Sequence, residues 1–376
     1  MPVLKHSLAA SELDRRITAF IQQPVGGEAR HAESLEAQFE SLALALFEYQ
    51  YLFNEPYRRL CDQRGRTPYE VMNWRDIPAV SAGSFGDARL ATFPPDRARL
   101  VFESSGTTRD GTRVSRLELE DPTLYDASLS THFRRRVMPD RERMPMVLFS
   151  PSFDEAPHSS LAYMLAKIFE RHGSEGGFFI SRGVLDHERT VETLRSQRQP
   201  TLVFGTAFAL LHFLDRCRLE EVRFTLPAGS RVVETGGFKG RSRSIERAQF
   251  YAMLNEFFGV PRELCVSEYG MCELGSQWYD GNVADHFAGR APRFDLKIGP
   301  HWARHLIVDA VTAEPVTDSP GLLQLLDLSN RGSVAAVLTS DLARDEGEGF
   351  VFLGRAPGAP PKGCSISIDR LLTNHA

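Results

Sequence analysis

The first hundred residues carry apolar side chains at helical spacing. The apolar positions of residues 11–21 fall close to one helical face: Leu13, Ile17, Phe20 and Ile21. A longer apolar-rich stretch covers residues 33–64, and Asn54-Glu55-Pro56 is expected to interrupt it, because the residue before a proline avoids the helical conformation. This pattern predicts a helical N-terminal region over residues 1–98, packed on the rest of the protein.

From about residue 100, short apolar runs typical of strands alternate with helical stretches. Strands are predicted at 100–102, 146–149, 177–181, 201–204 and 231–234, and helices at 122–136, 159–171, 186–197, 207–217 and 244–258. This alternation predicts an α/β fold with a largely parallel sheet. After about Trp278 the helical pattern fades, and a β-rich subregion is predicted with strands at 304–309, 321–327, 333–338 and 350–353. The body is thus assigned to residues 99–353, and residues 354–376 form a short tail.

Composition and charge narrow the function classes. The 376 residues include 44 Lys and Arg and 49 Asp and Glu, a formal net charge of −5, which argues against a general nucleic-acid binder. No run approaches the about 18 apolar residues of a membrane span, and residues 1–16 lack the apolar core of a secretory signal. Five widely spaced cysteines with no Cys-x-x-Cys pair favour a reducing cytoplasm over a disulfide scaffold or a zinc ribbon.

A Gly/Thr-rich loop follows the first predicted strand of the body. Its hydroxyls can donate to phosphate oxygens, and its glycines let the backbone N–H groups approach a ligand. The candidate nucleotide-binding residues are Ser104, Ser105, Gly106, Thr107, Thr108 and Arg113. The loop is not a Walker A motif, because G-x-x-x-x-G-K-[ST] is absent. A Ser/Thr-rich surface turn is the alternative.

Weaker signals lie downstream. Tyr269-Gly270-Met271 follows an apolar run and offers a turn that presents a flat tyrosine ring, and Glu273 offers a hard oxygen ligand for Mg²⁺. Asp341 is placed to accept hydrogen bonds from a ribose diol, and Arg355 follows the last predicted strand. Each of these signals is weak when taken alone.

In this order and at these separations, the motifs resemble those of the adenylate-forming acyl and aryl acid ligases. Ser104 to Thr108 is similar to the family's phosphate loop, and Gly236-Gly237 is similar to the loop that borders the adenine. The segment YGMCE is similar to Y-G-x-T-E, TSD to T-G-D, and Gly354-Arg355 to the G-R that opens the hinge. The runs WRDIPAV, ETGGFKGRSR and SEYGMCELGSQ resemble the acyl-protein synthetase branch, which supplies fatty acid to a reductase.

The resemblance implies a fold, cofactors and partners. It implies the large N-terminal domain of the adenylate-forming superfamily with a helical N-terminal extension. The C-terminal lid is expected to be truncated or absent, because only 21 residues follow Arg355. It also implies that ATP and Mg²⁺ activate a carboxylic acid, a fatty acid in this branch, to acyl-AMP. The acyl group would then pass to a cysteine of the protein itself and on to an acyl-accepting reductase.

Four further residues are candidates for catalysis. Cys364 sits where the family carries its acyl-accepting cysteine; a partly buried cysteine before a terminal strand is the alternative. Lys239 and Arg241 are candidates to replace the lysine of the missing lid, against a solvated basic loop. His158 precedes a predicted helix and lies either on the substrate side or in a capping loop.

Two other functions stay open. One is an aryl or small-acid adenylating ligase of secondary metabolism that delivers to CoA, a carrier protein or an amine. The other is a nucleotide-binding subunit that organises a complex without catalysis. The acid that stimulates pyrophosphate exchange, and whether label stays on the protein, distinguish these alternatives from an acyl-protein synthetase.

Overall fold

The computed structural model describes residues 9–25, 29–104, 114–237 and 245–357, and it is mixed α/β, as predicted. The α-helices in these ranges are α1 (Ala10–Gln22), α2 (Ala29–Phe53), α3 (Glu55–Gln63), α4 (Thr123–Val137), α5 (Ser160–His172), α6 (His187–Ser196), α7 (Ala207–Leu219), α8 (Arg247–Phe258) and α9 (Asn282–Phe287). The strands are β1 (Val80–Ser81), β2 (Leu100–Glu103), β3 (Arg116–Leu119), β4 (Met144–Phe149), β5 (Gly173–Phe178), β6 (Ile180–Ser181), β7 (Val184–Leu185), β8 (Leu202–Thr206), β9 (Arg231–Thr235), β10 (Cys265–Tyr269), β11 (Trp278–Asp280), β12 (Leu296–Ile298), β13 (Ala303–Val308), β14 (Gly321–Asp327), β15 (Ala336–Asp345) and β16 (Gly349–Arg355). None of the helices described combines the length and the apolar content that crossing a bilayer requires.

The chain forms two compact units. Unit 1 takes in the described residues up to Thr131, the short segment Met271–Gln277 and residues 299–357. Unit 2 takes in His132–Gly270 and Trp278–Ile298. The sequence-based boundaries at residues 98 and 353 stay a prediction.

A parallel sheet forms the centre of unit 2. Its strands run in the order β5–β4–β8–β9–β10, all parallel, and β11 and β12 extend it in antiparallel register. Every residue of β4, β8 and β9 is buried. Unbroken burial is typical of parallel strands covered on both faces, and it explains the apolar side chains throughout β4 and in the first part of β8. The predicted parallel-rich sheet is confirmed.

Capping side chains fix where the helices between these strands begin. Ser159 accepts a hydrogen bond from the Ala162 N–H at the start of α5, and Asp186 accepts from the Arg189 N–H at the start of α6. Thr206, the last residue of β8, caps α7 in the same way. Such caps satisfy backbone donors that the first helical turn leaves unpaired. They let the chain turn from strand to helix within a few residues.

Antiparallel strands form the β-rich part of unit 1. The order is β13–β14–β15–β16, with β1 parallel to β15, while β2 and β3 form a separate antiparallel pair. The predicted β-rich subregion is confirmed, but the strand predicted at 333–338 lies at 336–345. Beyond Leu338, the buried positions Thr339, Asp341 and Ala343 alternate with half-buried ones, so the strand continues although two of the buried residues are polar.

The N-terminal helices are joined to the β-rich part of unit 1 by buried amides. The Asn54 side chain accepts from the Tyr57 N–H and begins α3, which confirms the predicted break. Gln50 in α2 donates from Nε2 to the Asn330 carbonyl at 2.8 Å and accepts from the Ala335 N–H at 2.9 Å. Because both the NH₂ group and the oxygen of Gln50 are bonded, its buried amide holds α2 against the loop between β14 and β15.

Candidate active site

Ser104 closes the base of the Gly/Thr-rich loop in unit 1. The residue follows β2 and is buried, with 5% of its surface exposed. Its N–H donates to the Ser115 carbonyl at 2.9 Å, and its Oγ accepts from the Ser115 N–H at 3.0 Å. These bonds continue the β2–β3 pairing by one residue. The two strands therefore hold Ser104 next to Ser115.

Asp341 and Arg355 lie opposite each other on neighbouring strands. They are paired in the register of β15 and β16, and Arg355 Nε lies 3.1 Å from Asp341 Oδ1. Thr339 holds the strand backbone before the aspartate, because its Oγ1 accepts from the Asp341 N–H at 3.1 Å and donates to the Leu323 carbonyl at 2.8 Å. Gly354 beside Arg355 has a φ of 114°, a conformation that favours glycine. The structure thus joins two motifs that the sequence separates.

Glu273 belongs to a short segment of unit 1 without regular secondary structure. Its side chain is buried, with 3% exposed, and Cys272 before it is 2% exposed. The Glu273 carbonyl accepts from Asn330 Nδ2 at 2.8 Å, and the same amide donates to the Val334 carbonyl at 3.1 Å. Asn330 thus fixes the backbone position from which the Glu273 side chain projects.

A buried aspartate anchors the next residues of that segment. Asp327, at the end of β14, accepts from the Gly275 N–H at 3.1 Å and from Ser276 Oγ at 2.8 Å. It also accepts from the N–H and the Oγ of Ser329. Burial raises the pKa of Asp327, while these hydrogen bonds lower it. Trp302 Nε1 lies 3.0 Å from Ser276 Oγ and closes the network.

Replacing Asp327 with alanine should lower the stability of the protein. The change leaves buried N–H and hydroxyl donors of Gly275, Ser276 and Ser329 without their acceptor, and each such loss costs about 1–3 kcal/mol. We expect the free energy of unfolding in urea to fall by about 3 kcal/mol or more. Asp96→Ala, at an exposed site of the same unit, is the control and should stay within about 0.5 kcal/mol of wild type. Equal effects of the two variants would contradict the anchoring role.

In unit 2, two motifs follow the carboxyl ends of neighbouring strands. Gly236-Gly237 comes directly after β9, and Tyr269 is the last residue of the adjacent parallel strand β10. Gly236 has a φ of 76°, and apart from the adjacent residues of the chain no atom of the described residues lies within 4 Å of a Cβ built on Gly237. The Tyr269 ring is 9% exposed and meets Trp278 edge to face, with ring centroids 6.3 Å apart. Ligands in sheets of this type bind outside the carboxyl ends of the strands.

His158 lies on the surface of unit 2, in the loop before α5. The hydroxyl that caps α5 belongs to Ser159, whose Oγ accepts from the Ala162 N–H at 3.1 Å. His158 therefore does not supply the cap, and its place on the substrate side stays a prediction.

Comparison with known families decides the assignment. The model of the LuxE acyl-protein synthetase family matches residues 1–373. The chain belongs to the LuxE acyl-protein synthetase family. The resemblance carried by the sequence motifs is thereby confirmed. No curated protein is significantly similar to this LuxE family member.

Solved structures show the fold that the LuxE family member shares. An open conformation of 2-hydroxyisobutyryl-CoA ligase in complex with 2-HIB-AMP and CoA is 14% identical, with a TM-score of 0.63 over 90% of this chain and 81% of the ligase. The same ligase in the thioesterification state is 15% identical, with a TM-score of 0.62 over 93% and 69%. McyG A-PCP complexed with phenylalanyl-adenylate is 15% identical, with a TM-score of 0.50 over 81% and 47%. The fold is that of the adenylate-forming ligases, as predicted.

The residues of the LuxE family member fit a magnesium ion that arrives with a nucleotide. Magnesium sites of this kind use one or two carboxylates together with phosphate oxygens and water. Within the ranges that the structure covers, no three His, Cys, Asp or Glu side chains are grouped to hold a metal by themselves. Glu273 supplies one buried carboxylate on a fixed backbone. A single carboxylate suits a Mg²⁺ site that phosphate oxygens and water complete, and it is too few for a site made of protein ligands alone.

The predicted site residues divide between the two units of the LuxE family member. Unit 1 contains Ser104, Met271, Glu273, Asp341 and Arg355, and unit 2 contains His158, Gly236, Gly237, Tyr269 and Gly270. Outside the described residues lie Ser105, Gly106, Thr107, Thr108, Arg113, Lys239, Arg241 and Cys364. Sequence reasoning missed the buried carboxyls of Asp327 and Glu268. The available signal for Glu268 was an acidic residue near the end of the short segment Cys265–Tyr269, which begins with apolar residues.

Proposed function

We propose that the protein uses ATP to activate a fatty acid as acyl-AMP and then carries the acyl group on Cys364 for a reductase partner. The observation that carries this proposal is the family match over residues 1–373. The adenylate-forming fold supports the first half of the reaction. The carrier cysteine and the reductase rest on the family resemblance of the sequence.

In the first step a carboxylate oxygen of the acid bonds to the α-phosphorus of ATP, and pyrophosphate leaves. Ser104, Ser105, Gly106, Thr107, Thr108 and Arg113 are proposed to hold the phosphates with hydroxyl, backbone N–H and guanidinium donors. Glu273 would hold Mg²⁺, which neutralises phosphate charge when bound. Lys239 and Arg241 are proposed to contact the carboxylate or the phosphates in place of a lid lysine, and His158 to lie beside the acid.

The nucleoside is assigned to the loops and strands that carry the remaining motifs. Gly236, Gly237, Gly270 and Met271 are proposed to border the adenine, with Tyr269 against its ring. Asp341 is proposed to accept hydrogen bonds from the ribose hydroxyls. The Arg355 guanidinium 3.1 Å away supports this role, because it holds the Asp341 carboxylate in a fixed orientation.

In the second step the Cys364 thiolate attacks the acyl carbon, its proton having passed to solvent, and AMP leaves. The other cysteines support this assignment by being poor nucleophiles. Cys61, Cys217 and Cys265 are buried, and burial raises the thiol pKa of each to about 12. A thiol reacts as its thiolate, so these three are unreactive near neutral pH. Cys272 is also buried, with 2% exposed.

Acid-dependent pyrophosphate exchange with ATP and dATP tests the nucleotide part of this proposal. Asp341→Ala should weaken apparent ATP affinity by about tenfold or more, since a hydrogen bond to a charged group contributes about 1.5–3 kcal/mol. It should also remove most of the preference for ATP over dATP. Asp345→Ala on the same strand, whose exposed carboxylate pairs with His305, is the control and should behave as wild type. An unchanged preference in Asp341→Ala would remove Asp341 from the ribose site.

A further inference from the structure

A row of three polar side chains crosses neighbouring strands of unit 2. Thr235 on β9 is paired with Glu268 on β10, and Glu268 is paired with Tyr279 on β11. Residues directly opposite each other on adjacent strands project from the same face of a sheet. Thr235 is 8% exposed, Glu268 6% and Tyr279 0%, so this row is buried.

The Glu268 carboxyl links two strands of this row. Thr235 Oγ1 donates to Glu268 Oε2, and this is the only hydrogen bond that the carboxyl makes within the described part of the chain. The Tyr279 hydroxyl is buried and has no hydrogen-bond partner among the residues described. Among the residues that the structure describes, no cation is bonded directly to Glu268. If the Glu268 carboxyl were ionised, its buried negative charge would be stabilised by a hydrogen bond from one neutral hydroxyl, which leaves most of the cost of burying the charge unpaid.

Titratable and charged groups lie on each neighbouring strand, with Glu234 and Lys297 on the opposite face of the sheet from Glu268. They are Glu234 on β9, Tyr279 on β11 and Lys297 on β12, with His132 of α4 packed on the Tyr279 ring at 5.5 Å. Burial is the main cause that raises the pKa of Glu268 to about 7, and the negative charge of Glu234 acts in the same direction. The Thr235 hydrogen bond and the charge of Lys297 act in the opposite direction.

The nearby ions are already committed to other partners. Lys297 Nζ lies 2.7 Å from Asp280 Oδ1 and donates to the Ser267 carbonyl at 2.9 Å. Glu234 accepts from Arg247 at 2.8 Å and from the Tyr251 hydroxyl at 3.0 Å. Because Lys297 is bonded to Asp280 and not to Glu268, its charge offsets only part of the cost of ionising Glu268.

We propose that Glu268 is a positioning residue, which ties the carboxyl end of β10 to that of β9 and so fixes Tyr269 and the Gly236-Gly237 turn for the nucleotide. This proposal rests on the proposed function, because the nucleotide role of those two segments belongs to it. Thr235 immediately precedes Gly236, and Glu268 immediately precedes Tyr269. A change in the Thr235–Glu268 contact therefore moves both segments directly.

The protonation state of Glu268 then sets how well the nucleotide is held. In the unfolded chain the carboxyl releases its proton near pH 4.5 and in the folded chain near pH 7. The stability contributed by the neutral form is complete below pH 4.5 and is lost as the pH rises through 7. Above that range the buried charge favours water entry and separation of the two strand ends.

The test is the pH dependence of kcat and of KM for ATP in acid-dependent pyrophosphate release, for wild type, Glu268→Gln, Glu268→Ala and Thr235→Val. Glutamine keeps the oxygen that accepts from Thr235 but cannot ionise. We expect the wild-type KM for ATP to rise by about fivefold between about pH 6 and 8.5, with a smaller change in kcat. Glu268→Gln should keep the low KM throughout. Glu268→Ala and Thr235→Val should have a raised KM at every pH.

Glu256→Gln, on the exposed face of α8 in the same unit, is the control and should follow the wild-type profile. The proposal is overturned if Glu268→Gln shows the wild-type pH profile, or if Glu268→Ala and Thr235→Val keep the wild-type KM. Absence of acid-dependent pyrophosphate release from wild type would instead overturn the proposed function. In that case ATP binding by calorimetry over the same pH range decides the role of Glu268, with the same expected order of variants.

Discussion

Replacing Cys364 with serine is expected to abolish the protein-bound acyl group while acyl-AMP still forms. A serine hydroxyl is a far weaker nucleophile than a thiolate at neutral pH, so the second step fails and the first does not. When Cys364→Ser is incubated with ATP, Mg²⁺ and radiolabelled acid, about one equivalent of pyrophosphate per protein chain should be released from ATP. The wild-type protein should retain label that hydroxylamine removes, and the variant should retain only background.

Cys217→Ala is the matched control for this experiment. Cys217 is buried in α7, and burial raises its thiol pKa to about 12, so its removal should leave the retained label unchanged. Peptide mapping of the wild-type label should find Cys364. Label retained by Cys364→Ser, or label mapped to Cys272, would contradict the carrier role.

Replacing Glu273 with glutamine is expected to slow pyrophosphate release by at least about tenfold, about 1.4 kcal/mol of barrier. The amide keeps the shape of the side chain but removes the charge proposed to hold Mg²⁺. The backbone around it stays fixed by Asn330, so the melting temperature should change little. The loss should be largest at low Mg²⁺ and smaller when Mg²⁺ is saturating.

Glu346→Gln is the control, because Glu346 pairs with Arg344 on the surface of the β15–β16 hairpin. Its rate should equal that of wild type at every Mg²⁺ concentration. If Glu273→Gln also equals wild type at low Mg²⁺, Glu273 does not hold the ion.

Local signals in the sequence were sufficient where the structure follows local chemistry. Asn54 before Glu55-Pro56 predicted the end of one helix and the start of the next, because capping and proline geometry involve only adjacent residues. The buried parallel strands were found because each contains a short run of adjacent apolar residues, which covers all of β4 and only Val232-Val233 in β9. The site motifs were found by their order and spacing along the chain, and recognising them did not require knowing which residues lie close together in the structure.

Elements set by distant partners could not be predicted in the same way. The three-residue strands β11 and β12 and the six-residue helix α9 are too short for a periodic pattern. The place of β11 depends on pairing with β10, and that of β12 on pairing with β11. Glu268 and Asp327 are polar residues whose burial depends on donors from other segments. The positions of Glu268 and Asp327 in the sequence do not indicate which residues donate hydrogen bonds to their carboxyl groups.

Intact-protein mass spectrometry of the wild-type chain tests the central claim most directly. The chain is incubated with ATP, Mg²⁺ and a panel of acids from aryl acids to long-chain fatty acids, and released pyrophosphate is measured in parallel. We expect a mass gain equal to the acyl group for a fatty acid, dependent on ATP and removed by hydroxylamine. Pyrophosphate release without a protein-bound acyl group would indicate a ligase with another acceptor. ATP binding with neither product would contradict acid activation itself.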